Sequence, residues 1–127
     1  VTEPEHLLQQ MGMRDVEDTA HRLIIEMDNQ PDRANNRGAL QGGLVATLID
    51  CAAGRLASNF VTPGQGVATA DMHINFLAPV MKGPARAEAN VVRAGKRMIV
   101  MSVDVTDVGG DRLAARATLT FAVLDPR

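Results

Sequence analysis

Two hydrophobic rhythms divide this chain. Over residues 67–77 apolar and polar side chains alternate with a period of two, the mark of a strand with one buried face. Ala68, Ala70, Met72, Ile74 and Phe76 form the apolar side, and Thr69, Asp71, His73 and Asn75 the polar side. Pro79 and Lys82-Gly83-Pro84 end that strand. Two more strands are predicted over 85–94 and 97–107, joined by a tight turn at Gly95-Lys96. Gly109-Gly110 then turns into a last strand over 112–124, with Leu113, Ala115, Ala117, Leu119, Phe121 and Val123 on one face. Earlier in the chain, residues 21–27 place Leu23, Ile25 and Met27 on one side, a further strand.

Between them the rhythm changes. Residues 41–58 read as one helix, about 27 Å long, interrupted only by Thr47, Asp50 and Arg55. Stepping 100° per residue puts Leu44, Val45, Leu48 and Leu56 on one side with Ile49 flanking. Gly43, Ala46, Thr47, Ala53, Gly54 and Ala57 share the other side with Asp50. The bulky side packs on a sheet. The small side admits a close neighbour, another backbone or a thin ligand.

The order strand, long helix, four strands predicts an α+β fold: a long central helix wrapped by a curved antiparallel sheet of about five strands. The 127 residues suffice for one domain with its own core. Thr2 and Glu5 have capping-box spacing, so a short helix to about Met11, ended near Gly12, is expected within a helical extension over 1–20. Residues 28–38 are polar and read as a surface loop, and 125–127 as a frayed tail.

Composition narrows the function. A net charge of −2 with scattered basic residues, and 2% aromatic content, leave no footprint for nucleic acid. The single cysteine, Cys51, forbids an intrachain disulfide and fits a reducing compartment. Residues 1–10 lack an apolar signal core, and the central helix is too short and too interrupted to span a membrane. A cytoplasmic protein is the expectation.

Neither serine, Ser58 nor Ser102, lies in a nucleophile elbow. His6, His21 and His73 show no metal spacing, and no glycine-rich phosphate loop is present, so no metal or organic cofactor is expected. What remains is Asp50 on a helix that opens at Gly42-Gly43. Unpaired N–H groups at a helix start can hold an oxyanion, and glycine lets a carbonyl approach them. A carboxylate can act as general base on water or attack the carbonyl itself. Asp50 lies about 12 Å along the axis from Gly42. One chain's pair therefore cannot touch one carbonyl, and two antiparallel helices sharing sites across a dimer are required.

These residues resemble the hotdog-fold acyl-CoA thioesterases, specifically the phenylacetate-pathway (PaaI-like) group. That family's pattern is an Asn, a Gly, then His-Gly-Gly opening the helix, with an acid nine residues after the His. Here the matching residues are Asn35, Gly38, Gln41-Gly42-Gly43 and Asp50. The strand ending at Pro79, Lys82-Gly83, Gly95-Lys96-Arg97 and the last strand through Phe121 extend the likeness over about 22–123.

The resemblance implies hydrolysis of an acyl- or aryl-CoA thioester. Asp50 is then nucleophile or general base, the Gly42 N–H binds the thioester oxygen, and Asn35 places the carbonyl or the water. Thr69 aligns with a hydroxyl that orients water in some members; by alternation it points away from the apolar strand face. Gln41 departs from the usual His: it keeps hydrogen-bonding capacity but has no accessible change of charge. Gly43 borders the ligand, and Lys96, Arg97 and Lys82 are candidates for the CoA phosphates. Subunits are expected to join sheet edge to sheet edge as a homodimer, often pairing again as a tetramer. Two alternatives stay open: a non-catalytic acyl-CoA-binding hotdog module, and a hydratase or dehydratase for which His73 is the strand candidate.

Overall fold

The computed structural model describes residues 5–127. Its elements are α1 (Leu7–Gln10), β1 (Arg14–Asp18), β2 (Arg22–Met27), α2 (Gly42–Ala57), a 3-10 turn (Ser58–Phe60), β3 (Gly66–Phe76), β4 (Ala85–Ala94), β5 (Met98–Asp107) and β6 (Arg112–Leu124). The strands form one antiparallel sheet in the order β1-β2-β4-β5-β6-β3. The chain leaves β2, crosses the sheet as α2, and returns as β3 on the opposite edge. This is the expected α+β arrangement, with six strands in place of about five.

The buried side of α2 carries Leu48, Ile49, Ala52, Ala53, Leu56 and Ala57. It meets Leu23, Ile25 and Met27 of β2, and Ile99, Met101, Val103 and Val105 of β5. Under the helix, β4 offers only Ala85, Ala87 and Ala89, all fully buried. Short side chains there let the helix sink towards the middle of the sheet while longer ones on the flanking strands rise around it. Ala53 and Ala57, expected on the accessible side of α2, are enclosed by this wrapping. Among the described residues no helix is long and apolar enough to cross a membrane.

The extension expected to be helical over 1–20 is one turn of helix followed by a strand. His6 caps α1, its Nδ1 accepting the Leu8 N–H at 3.1 Å. The proposed capping box includes Thr2, which lies outside the described residues. β1 escapes a periodicity reading because Val16 is its only apolar residue. Ion pairs hold it: Arg55 of α2 grips Asp15 through two bonds of 2.7 and 2.9 Å, and Arg14 meets Glu26 of β2 at 3.1 Å. Asp125, Pro126 and Arg127 have no regular structure, and Pro126 rests against Gly64.

The face assignment of β3 needs correction. The register against β6 slips between Thr69 and Asp71, a bulge at Ala70. Upstream, Val67 and Thr69 lie opposite Val123 and Phe121; downstream, Met72, Ile74 and Phe76 lie opposite Leu119, Ala117 and Ala115. Those β6 residues face α2, so Thr69 does too. Ala68, Asp71, His73 and Asn75 face outwards. One inserted residue makes an unbroken alternation in sequence change sides in space.

Candidate active site

The loop before α2 is folded by Asn35. Its Oδ1 accepts the N–H groups of Arg37 and Ala39 at 2.9 and 3.1 Å, and its own N–H donates to the Ala39 carbonyl at 2.7 Å. Gly38 closes the turn at φ +85°, where a side chain would be strained. Two residues of no obvious sequence signal tether this loop. Asn29 Nδ2 donates to the carbonyls of Gly38, Val80 and Met81. Asp107, only 2% exposed, accepts the N–H groups of Met81, Lys82 and Gly83 at 3.1, 3.4 and 2.7 Å. Burial pushes its carboxyl pKa up, but these bonds and one from Gly110 outweigh it and hold the pKa below the ordinary value.

Gln41 is the N-cap of α2. Its carbonyl accepts from Leu44 and Val45, both at 3.0 Å, while its side chain reaches only the Ala34 carbonyl at 3.5 Å. The N–H groups of Gly42 and Gly43 find no acceptor among the described residues, as first-turn donors do. Both glycines are exposed. A Cβ on Gly42 would lie 3.8 Å from the Phe76 ring, an ordinary contact, and one on Gly43 would meet nothing within 4 Å. Neither glycine is required by packing inside the chain. A cleft of about 310 Å³ runs past this helix start, lined by Asn35, Gly42, Val45, Phe76, Pro79 and Val80.

Two turns further along α2, Thr69 Oγ1 donates to Asp50 Oδ1 at 2.7 Å. Oδ2 of Asp50 is bonded to none of the described residues. Asp50 is half-buried and lines a second cleft of about 330 Å³ with Met13, Ile25, Cys51, Gly54 and Arg55. Burial pushes the Cys51 thiol pKa up and the Asp50 charge pushes it further, with Arg55 opposing, so Cys51 is held as a protonated filler and not a nucleophile.

The structure thus joins Asp50 to Thr69, and Asn35 to the Gly42 cleft, but leaves these two groups apart along the helix. It separates other candidates altogether. Lys82 precedes β4 and Lys96 follows it; ten residues of strand between them span roughly 30 Å. Lys96 borders a groove with Phe60 and Gln65, and Arg97 another with Arg93 and Thr120. The three cations cannot form one phosphate site in one chain. His73 bonds Asn75 on the outer face, away from Asp50, which removes the dyad that a hydratase would need. Among the described residues no cluster of metal-binding side chains occurs.

Residues 37–114 match the family model for the thioesterase superfamily. A Saccharolobus solfataricus protein named as an esterase is 32% identical over 81% of this chain and 72% of its own length. Human acyl-coenzyme A thioesterase 13 is 32% identical over 78% of this chain and 71% of its own. The crystal structure of a thioesterase family protein from Silicibacter pomeroyi superposes with a TM-score of 0.87, covering 95% of this chain and 90% of that one at 25% identity.

Proposed function

This chain belongs to the thioesterase superfamily and is a thioesterase with the hotdog fold; from that premise we propose that it hydrolyses acyl- or aryl-CoA thioesters at sites shared between two copies of itself. The carrying observation is the split along α2. A carboxylate held by Thr69 sits two turns from two free glycine amides whose lack of side chains the chain itself does not explain. Glycine in a helix is less stable than alanine by roughly 0.5–1 kcal/mol, so its presence at an open position points to something that must come close. A thioester carbonyl brought to the amides by a second copy answers that need.

β3 is the sheet edge suited to such pairing. The other edge, β1, is five residues long, bulged and acidic at Asp15, Glu17 and Asp18, features that discourage strand addition. β3 has eleven residues and leaves Phe76 57% exposed on its helix side. Joining two β3 edges antiparallel continues the sheet and sets two α2 helices side by side in opposite directions. Any further pairing into a tetramer would use the helix side, because the outer face carries the ion pairs Arg22–Glu88 and Arg116–Asp104.

In the shared site the amides of Gly42 and Gly43 polarise the thioester oxygen. Asp50 of the other copy, its Oδ1 fixed by Thr69, uses Oδ2 in one of two ways. It removes a proton from water as the water adds, or it adds to the carbonyl and the resulting anhydride is hydrolysed. Either route cleaves the C–S bond, protonates the thiolate, and yields a carboxylic acid and free CoA. No metal or organic cofactor is required. Asn35 acts by shaping the loop that presents the glycines, and Gln41 acts as the N-cap, without proton transfer. A thiol-release assay over a panel of acyl- and aryl-CoA esters tests the reading. Release by the wild type and its loss in Asp50→Asn are expected; equal release by both overturns it.

A further inference from the structure

We propose that the cleft between α2 and β1–β2 receives the acyl part of the thioester and that the Arg55–Asp15 ion pair closes its far end, making this thioesterase selective for medium acyl chains or a single ring. The proposal rests on the hydrolase reading and names its substrate class. Asp50 itself lines the cleft, so a carbonyl within reach of Oδ2 has its substituent at the cleft mouth. The walls are Met13, Ile25 and the bare backbone of Gly54, and they offer an acyl group little polar competition.

Gly54 is the second observation. A Cβ there would stand 3.5 Å from the Phe121 ring, ordinary contact, and its φ is not in the left-handed region. Neither packing nor backbone geometry demands glycine in the middle of this helix. The space it leaves open in the cleft does.

The length limit follows from the helix. Arg55 is five residues beyond Asp50, about 7.5 Å along the axis. A zigzag of C–C bonds of about 1.5 Å advances roughly 1.3 Å per bond, so about six carbons, or one six-membered ring, fill that distance. At its end the guanidinium is held by Asp15 through both oxygens, with Asp18 at 3.5 Å. A longer apolar chain would have to displace or desolvate this pair.

The experiment is a ladder of CoA esters from acetyl to palmitoyl, with benzoyl and phenylacetyl added. The ladder is read twice: as kcat/KM for the wild type, and as binding affinity by calorimetry for Asp50→Asn. Both readings should peak near hexanoyl to octanoyl and phenylacetyl. Gly54→Leu should lower the hexanoyl-to-acetyl ratio about tenfold, the size of effect that a few methylenes have in an apolar pocket. Gly54→Ala, which has room to fold, should lower it less. Removing the stop with Asp15→Ala and Arg55→Ala together should raise the dodecanoyl-to-hexanoyl ratio by a similar factor. A flat profile, a rise through palmitoyl, or ratios unmoved by these variants overturns the cleft assignment while leaving hydrolysis standing. A peaked affinity profile with no turnover of any ester overturns hydrolysis and leaves the cleft.

Discussion

Thr69 Oγ1 lies 2.7 Å from Asp50 Oδ1, joining the middle of the central helix to an edge strand. The hydroxyl donates, so the bond favours the charged carboxylate and fixes one oxygen while leaving the other to act. Asp50→Asn is expected to lower turnover by on the order of 10²–10⁴ with the fold kept. Thr69→Val removes a hydrogen bond to a charged group, worth roughly 1.5–3 kcal/mol, and should lower kcat about 10- to 100-fold. Thiol release by both variants, with circular dichroism to confirm folding, checks the pair.

Sharing of sites is testable by mixing inactive chains. Asp50→Asn and Gly42→Val each disable every site in a homodimer. In a mixed dimer one site collects both defects and the other none, so co-refolded protein should regain roughly a quarter of wild-type activity. Recovery of none would mean that the aspartate and the glycine turn act within one chain.

Asp107 predicts an acid-sensitive loop. Its folded pKa is lower than its unfolded one, so its contribution is complete above the ordinary carboxylate range and is lost as pH falls through the depressed value. Asp15, held low first by its hydrogen bond to Arg55, titrates with the same sign, but both partners are half-exposed and the effect is small. Wild-type stability should therefore fall below about pH 4, and Asp107→Asn should flatten that limb. Asp107→Ala strands buried N–H donors and should destabilise by about 3 kcal/mol. Urea titrations across pH measure both.

The alanines beneath α2 set how deeply it sits. Ala87→Leu inserts a branched side chain where the strand and helix backbones approach, and overpacking should cost about 1–3 kcal/mol. A fall in Tm for Ala87→Leu, with Val103→Ile on the neighbouring strand as a milder comparison, tests this packing.

Much of this architecture is legible in sequence because burial and periodicity coincide. The three strands β4, β5 and β6 each keep one face against α2, and Asp50 stands out because the helix around it is apolar. β1 is illegible for the opposite reason: Arg14 to Asp18 hold their place through ion pairs with residues far along the chain. Thr69 was placed on the wrong side because a bulge leaves no mark in a hydrophobic pattern when the inserted residue is a small alanine. The tethers from Asn29 and Asp107 depend on loops that meet only in three dimensions. The geometry between Gly42 and Asp50 of two copies is a property of an assembly, and a single chain carries only its halves.

The bulge also bears on which genetic changes this protein can survive. Deleting Ala70 would not merely shorten an edge. It would turn the following residues over, sending Asp71 and His73 against the hydrophobic interior and Ile74 out to water. Point substitutions along that strand are graded insults, whereas a one-codon loss is a topological one, so related genes should vary freely in letter there and hardly at all in length.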